Sequence, residues 1–229
     1  MPGSIAFSKQ QLTKQLITQR YQGFIFDLDA TLVLADFEGY IFPLLQGIVL
    51  DLGGGELGAE LAFDFWFGRW DRDQCIRENF GLDPETFWPE LHRRDEPTIR
   101  IQHIQVIEGV VSVLQRLRQT DKKLAIVTAA VQNMMEAEVA LLNFEFDLLL
   151  SVSDNPRFLP KPDPAVIYHI VDQWGLPFNQ VVLIGDSGED GHLAINARVD
   201  FVHFVSHGDS LPTANAIFDS WHKFLDLSF

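Results

Sequence analysis

The sequence is short of three things, and each shortage removes a class of protein. It holds one cysteine, Cys75, in 229 residues. A single thiol forms no intrachain disulfide and no thiolate metal cluster, which suits a reducing cytoplasm and leaves Cys75 as a small apolar packing residue. Cations are also scarce: 17 Lys and Arg stand against 32 Asp and Glu, for a net charge of −15. Nucleic-acid backbones and anionic membranes are held by clustered Lys and Arg, so neither is an expected partner. Long apolar runs are missing too. The uncharged apolar stretch at residues 39–50 contains Pro43 and Gly47 and is too short to cross a bilayer as a helix. Residues 1–11 show no apolar core of the signal-peptide kind. The expectation is a cytoplasmic protein, with no internal repeat and no low-complexity tract.

What is present is a good core and a clear order of elements. Hydrophobic residues make up 47% of the chain, enough for one domain of ordinary size or one domain with a smaller insert. The apolar run Phe24 to Phe26 stops at two carboxylates one residue apart, Asp27 and Asp29. A strand that dense in bulky residues is buried on both faces, so its charges belong where it leaves the sheet. Helical spacing is read over residues 8–20, 37–52 and 57–80, and Asp83-Pro84-Glu85 reads as a helix start. Residues 35–105 thus read as all-helical, without a strand.

Strand and helix alternate after that block. Helices are expected over 108–118, 132–142, 164–174 and 188–197, and strands over 123–127, 146–152, 181–184 and 201–205. This pattern predicts right-handed βαβ units and an α/β fold with a doubly wound, Rossmann-like parallel sheet. Residues 1–34 and 106–229 form its core, and an all-helical subdomain is inserted at 35–105. Polar residues recur at one end of the strands: Asp27 and Asp29, then Thr128, then Lys161, then Asp186 and Asp190. In an open α/β sheet that carboxyl edge is where ligands bind.

In this order the segments Asp27-Leu28-Asp29-Ala30-Thr31, Thr128, Lys161-Pro162-Asp163-Pro164 and Gly185-Asp186-Ser187-Gly188-Glu189-Asp190 resemble the four motifs of the haloacid dehalogenase superfamily of hydrolases. Each is weak alone; their order and strand-end placement are specific. The helical insert after the first strand is similar to the cap of the subfamily that contains phosphoglycolate phosphatase and β-phosphoglucomutase. The resemblance implies a Mg²⁺-dependent phosphatase that hydrolyses a small phosphorylated metabolite through an aspartyl phosphate. Asp27 would be the nucleophile and Asp29 the general acid, then base. Thr128 and Lys161 would contact the transferring oxygens, with the small Ala30 allowing close approach. Phosphoryl transfer is mainly positioning and charge neutralisation, and a carboxylate meeting an anionic phosphate calls for a divalent cation. Oxygen ligands from Asp27, Asp186 and the Asp29 carbonyl suit Mg²⁺. Asp190 would orient Lys161 or a metal-bound water. A monomer or weak homodimer is expected.

Relatives that cleave carbon–halogen bonds lack an acid at the position of Asp29, so dehalogenation is not expected. Phosphonate-cleaving relatives use a cap lysine, and residues 35–105 contain no Lys. A phosphomutase of the β-phosphoglucomutase type uses the same motifs and is the alternative; a catalytically inactive binding or regulatory protein is a further one. Arg69, Arg72, Arg77, Arg93 and Arg94 are the cap cations singled out as contacts for a second substrate anion or as solvated partners of Asp71, Asp73 and Glu78. Phe63, Phe65, Trp66, Phe67 and Trp70 read as helical core, and His192, His203 and His207 as surface or packing residues. The sequence departs from the family pattern at Ala30, where Gly is usual, at Ala129-Ala130 and at Glu108.

Overall fold

A computed structural model describes residues 15–67, 71–208 and 210–229. Within them the chain opens with a helical turn, α1 (Ile17–Arg20), and β1 (Gly23–Phe26), followed by β2 (Val33–Ala35). A helical block comes next: α2 (Phe42–Asp51), α3 (Ala59–Trp66), α4 (Arg72–Cys75), α5 (Pro84–Arg94) and α6 (Pro97–Arg100). Then come β3 (Ile104–Val106), α7 (Val110–Gln119), β4 (Lys123–Thr128), α8 (Gln132–Leu141), β5 (Leu148–Ser151) and α9 (Ala165–Trp174). The chain closes with β6 (Val181–Gly185), α10 (Gly188–Ala197), β7 (Asp200–Phe204) and β8 (Ala216–Phe218).

Six strands form one parallel sheet in the order β5-β4-β1-β6-β7-β8. The central strand is β1, and every residue in it is buried. Side chains alternate across a strand. Phe24 and Phe26 therefore enter one core, with Leu114, Leu117, Trp221 and Phe224, while Ile25 enters the other, with Val166, Ile167, Ile170 and Leu193. Helices on both faces complete the doubly wound arrangement that the alternation predicts. Register decides where the strand ends fall. Phe26 lies level with Ile126 on one side and Ile184 on the other, so Asp27, Thr128 and Asp186 all emerge at one edge.

The insert differs from its expected form. Residues 35–105 are not free of strand: β2 pairs antiparallel with β3, Val33 opposite Val106 and Ala35 opposite Ile104. Three residues are too few for a period-2 signal to stand out. The two strands form a neck through which the chain leaves and re-enters the sheet region. Beyond it the helices bury their own core, including Ile41, Leu45, Ile48, Phe65, Ile76, Phe80 and Phe87. Cys75 is buried there, as its lone apolar reading anticipates. The helical reading of 57–80 is interrupted, α3 and α4 being followed by a wide π-type turn at Ile76–Phe80; Arg69 and Trp70 lie outside the described residues. Asp83 caps α5 as expected, accepting from the Glu85 amide at 3.0 Å, with Pro84 at the first position. Of the helix expected over 8–20, α1 is the described part. Among the described residues no helix is long and apolar enough to cross a membrane.

A short strand and a 3₁₀ segment near the end of the chain were not legible from periodicity, yet they brace the site. Trp221, in the Trp221–Asp226 segment, is fully buried and donates from Nε1 to the Thr31 carbonyl at 3.0 Å. Trp221→Ala removes both that packing and the donor, and a loss of about 3–5 kcal/mol in unfolding free energy is expected. A urea titration showing a loss under about 1 kcal/mol would contradict this bracing role.

Candidate active site

Asp27 is the first residue beyond β1, and its amide still donates to the Ile184 carbonyl at 2.8 Å. The chain then wraps around the Leu28 carbonyl, which accepts from Leu32 at 2.9 Å and Val33 at 3.2 Å. Ala30 sits in this wrap at φ +56°, a left-handed conformation that Gly adopts more readily than Ala. The departure from the usual Gly is therefore tolerated at a conformational cost. The turn aims the Asp27 and Asp29 carboxylates at different neighbours.

Asp27 faces Lys161. Lys161 Nζ donates to Asp27 Oδ1 at 2.6 Å and to Asp190 Oδ1 at 2.7 Å, and its side chain is only 3% exposed. Asp190 is held by the start of α10: its Oδ2 accepts from Ser187 Oγ at 2.6 Å and the Ser187 amide at 3.2 Å, and Ser187 Oγ accepts in return from the Asp190 amide. This reciprocal cap satisfies two free helix-end donors. Gly185 makes room for it, since a Cβ there would lie 2.5 Å from Asp190 Cγ. Asp186 accepts from Ser206 Oγ at 3.2 Å, and Thr31 Oγ1 lies between Asp27 Oδ2 at 3.2 Å and Asp186 Oδ1 at 3.4 Å. His203, which reads from sequence as a packing residue, is buried against this strand end. The Leu211 amide donates to its Nδ1 at 3.2 Å, so its Nε2 carries the hydrogen given to the Asp186 carbonyl at 3.0 Å. Thr128 is buried, and its hydroxyl oxygen accepts from the Ala130 amide at 3.0 Å; its own hydrogen remains available to donate.

Carboxylate oxygens of Asp27, Asp186 and Asp190 lie within 4.8 Å of one another, with one ammonium among them. Burial is the largest influence on Asp27, and together with the charges of Asp190 and Asp29 it outweighs Lys161, so the carboxyl is pushed up to about 7. Asp186 is likewise raised well above the usual carboxylate range by burial and by Asp27 and Asp190. Burial opposes the charge on Lys161, but Asp190 and Asp27 more than offset it and raise its pKa. Negative charge in excess, set on hard oxygen donors alone, fits Mg²⁺.

Asp29 turns away from this cluster. Arg100 Nη2 donates to Asp29 Oδ1, and Arg100 Nη1 donates to Asp95 Oδ2 at 2.7 Å. Arg100 Nε lies 2.7 Å from Glu138 Oε1 without the alignment of a hydrogen bond. Tyr40 completes the group, its hydroxyl donating to Asp95 Oδ1 at 2.8 Å. Burial works against the guanidinium charge, yet Asp29, Glu138 and Asp95 outweigh it and hold the pKa above the ordinary arginine value. Glu138 is pushed well up by burial and by Asp29, with Arg100 opposing. One guanidinium thus joins the first strand's acidic turn, the insert through Asp95 and the core helix α8 through Glu138.

Arg100 and Glu138 are not among the residues that sequence reasoning singles out. A signal existed for Glu138, which shares the buried face of α8 with Met134, Met135 and Val139, a position where an acid needs a partner. Arg100, between Ile99 and Ile101, gave a weaker one. The expected arginine partners also change: Arg93 and Arg94 pair with Glu90, and Arg94 with Asp51 as well, while Arg77 does pair with Asp73 on an exposed face. Phe65 is helical core as expected, but Trp66 and Phe67 are half-buried and line a cavity of about 140 Å³ together with Trp88. Asp27, Asp29, Ala30, Thr128, Lys161 and Asp186 line the same cavity. The structure therefore brings the sequence-predicted residues together, with Asp190 just behind Lys161.

A doubly wound sheet that gathers hard oxygen donors at its carboxyl edge, beneath a helical insert, defines a class of α/β proteins with an acidic site at the strand ends. Residues 24–204 match the model of the haloacid dehalogenase-like hydrolases, and the chain belongs to that family. It is 24% identical over 168 residues to PpaX of Caldanaerobacter subterraneus subsp. tengcongensis, a protein provisionally named a pyrophosphatase, with 72% of this chain and 73% of that one covered. Its fold resembles a provisionally named phosphoglycolate phosphatase of Lactobacillus plantarum, at TM-score 0.72 and 21% identity over 90% of this chain and 99% of the other. It also resembles CbbY of Rhodobacter sphaeroides, solved in complex with phosphate, at TM-score 0.70 and 17% identity over 90% of this chain and 100% of the other.

Two expectations follow from the charge distribution. Folded Asp27 holds its proton up to about pH 7 whereas an ordinary Asp releases it near 3.8, so the metal-free protein loses stability as pH rises through that window. A divalent cation held by these carboxylates would replace the proton, so a Mg²⁺-induced rise in Tm is expected to be larger at about pH 8 than at about pH 5; an equal or smaller shift at the higher pH would contradict the site. Arg100→Met strands buried acids, and a destabilisation of about 3–5 kcal/mol by chemical denaturation is expected, with near-neutral stability as the contrary result.

Proposed function

We propose that the chain is a Mg²⁺-dependent phosphatase that hydrolyses a small phosphate monoester through an aspartyl-phosphate intermediate on Asp27. The observation that carries this reading is the buried Lys161, bonded to both Asp27 and Asp190 with Asp186 alongside. A lysine buried between acids stabilises charge at a fixed point, which is what a transferring phosphoryl group needs. The names of two of the similar proteins, a pyrophosphatase and a phosphoglycolate phosphatase, point the same way.

Asp27 attacks phosphorus, and the bond from phosphorus to the ester oxygen breaks as the bond to the carboxylate forms. Asp29 gives its proton to the departing alkoxide, then takes one from the water that attacks the aspartyl phosphate and releases Asp27. Thr128 donates its hydroxyl hydrogen, and Lys161 its charge, to the non-bridging oxygens. Asp27, Asp186 and the Asp29 carbonyl would hold Mg²⁺, with Asp190 keeping Lys161 in place; when bound, the ion screens the repulsion between carboxylate and phosphate. Residues 35–105 act as a cap that shuts out bulk water, with Arg100 at its junction with the core. The reading places the enzyme in the cytoplasm as a monomer or weak homodimer, acting on small molecules without nucleic acid or membrane.

Asp27→Asn keeps the shape and removes the nucleophile. Mg²⁺-dependent release of inorganic phosphate from p-nitrophenyl phosphate should fall by at least about a thousandfold, in the range seen when a covalent nucleophile is removed. Activity within about tenfold of the parent would refute covalent catalysis by Asp27.

A further inference from the structure

Four observations bear on the part of the cavity that receives the leaving group. Most of its remaining lining is apolar: Trp66, Phe67, Trp88 and Leu91 from the helical insert, and Val131 and Met134 near the start of α8, with His92 and Ser187 as further polar members. Its polar groups are largely engaged. Arg100 serves three carboxylates, Asp95 accepts from both Tyr40 and Arg100, and Trp88 Nε1 is turned to Asp73 Oδ1 at 2.8 Å. A polyhydroxylated sugar would be desolvated there with few partners for its hydroxyls, a costly exchange.

Charge points the same way. Asp27, Asp29, Asp95, Asp186 and Glu189 line the cavity against the cations Arg72, Arg100 and Lys161. The charges of a bound divalent ion and of the phosphate dianion offset one another, so a second anion would meet a lining with more acids than cations. Arg72 offers one remaining polar handle: its Nη2 donates to the Trp66 carbonyl at 3.3 Å, while its Nε is buried without an acceptor among the described residues. Finally, the cavity measures about 140 Å³, roughly the space that one benzene ring fills, which limits the leaving group to a single small ring.

We infer that the site takes phosphate monoesters whose leaving group is a compact, flat or branched apolar body, in preference to sugar phosphates and to phosphorylated small acids. Arg72 Nε meets a single acceptor on that body. The inference deepens the phosphatase reading and rests on it for turnover, but it concerns binding and is separable by a ligand that does not react.

The test compares esters of primary alcohols, so that leaving-group reactivity stays similar: benzyl phosphate, ethyl phosphate, glucose 6-phosphate and phosphoglycolate, each with Mg²⁺ and the full chain. Benzyl phosphate should have the highest kcat/KM, by roughly tenfold or more over each of the others, as expected for one well-filled apolar pocket. Trp88→Ala, and separately Val131→Ser in case the first fails to fold, should bring the benzyl-to-ethyl ratio of kcat/KM down toward one. In parallel, calorimetry measures benzylphosphonate and methylphosphonate, which are not hydrolysed, on the parent protein with Mg²⁺. Esters hydrolysed with glucose 6-phosphate or phosphoglycolate preferred would overturn this inference and leave the phosphatase reading standing. No ester hydrolysed, but benzylphosphonate bound about tenfold tighter than methylphosphonate, would support the inference and overturn the phosphatase reading. Equal binding of the two phosphonates would overturn the inference on its own.

Discussion

The buried ion pair between Lys161 and the carboxylates of Asp27 and Asp190 is the constraint from which the rest of the site follows. Burying charges is costly unless they are paired and hydrogen-bonded, and here three acids share one ammonium. Every neighbouring feature reads as a response to that cost. Ser187 satisfies the second oxygen of Asp190, Gly185 clears space for it, and Ser206 and Thr31 supply donors to Asp186 and Asp27. What these donors leave uncompensated is net negative charge on oxygen atoms, a remainder that would suit a hard cation. The sheet makes the arrangement possible, because parallel register puts the ends of β1, β4 and β6 level with one another.

Arg100 plays the complementary part at the other carboxylate. By gathering Asp29, Asp95 and Glu138 it links the insert, the neck and the core in one buried network, so the cap's seat on the sheet and the orientation of Asp29 are not independent. Such networks are more than the sum of their pairs. Trp66 lies over the same guanidinium, 5.1 Å from its ring centre, so the aromatic wall of the cavity and the ionic junction also share a member. The apolar character of that wall and the charge balance of the floor together define what the site accepts.

Much of this was legible in the sequence. Phe24 to Phe26 ending at Asp27 marks a central buried strand because no other environment suits bulky residues on both faces followed by charge, and the later strands inherit their places from strand–helix alternation. Lys161 and Asp190 were legible through their order along the chain. What escaped were features set by tertiary contact: the three-residue strands β2, β3 and β8, too short for periodicity, and Trp221, whose partner Thr31 lies 190 residues away. Arg100 escaped for the same reason, since its three acids come from separate segments. The aromatic residues of α3 divide between packing and cavity lining, and periodicity alone does not separate those roles because both sit on the apolar side of a helix.

The central claim is that residues distant in sequence meet as one cation-bearing pocket with Asp27 as the attacking group. A crystal structure of the protein grown with Mg²⁺ and beryllium fluoride tests it most directly, because trifluoroberyllate bonds to a carboxylate as a phosphoryl group does. The account predicts the adduct on an Asp27 carboxylate oxygen, Mg²⁺ in contact with Asp27 and Asp186, and Lys161 against the fluorines. An adduct on another residue, or a metal site that excludes Asp27, would contradict it.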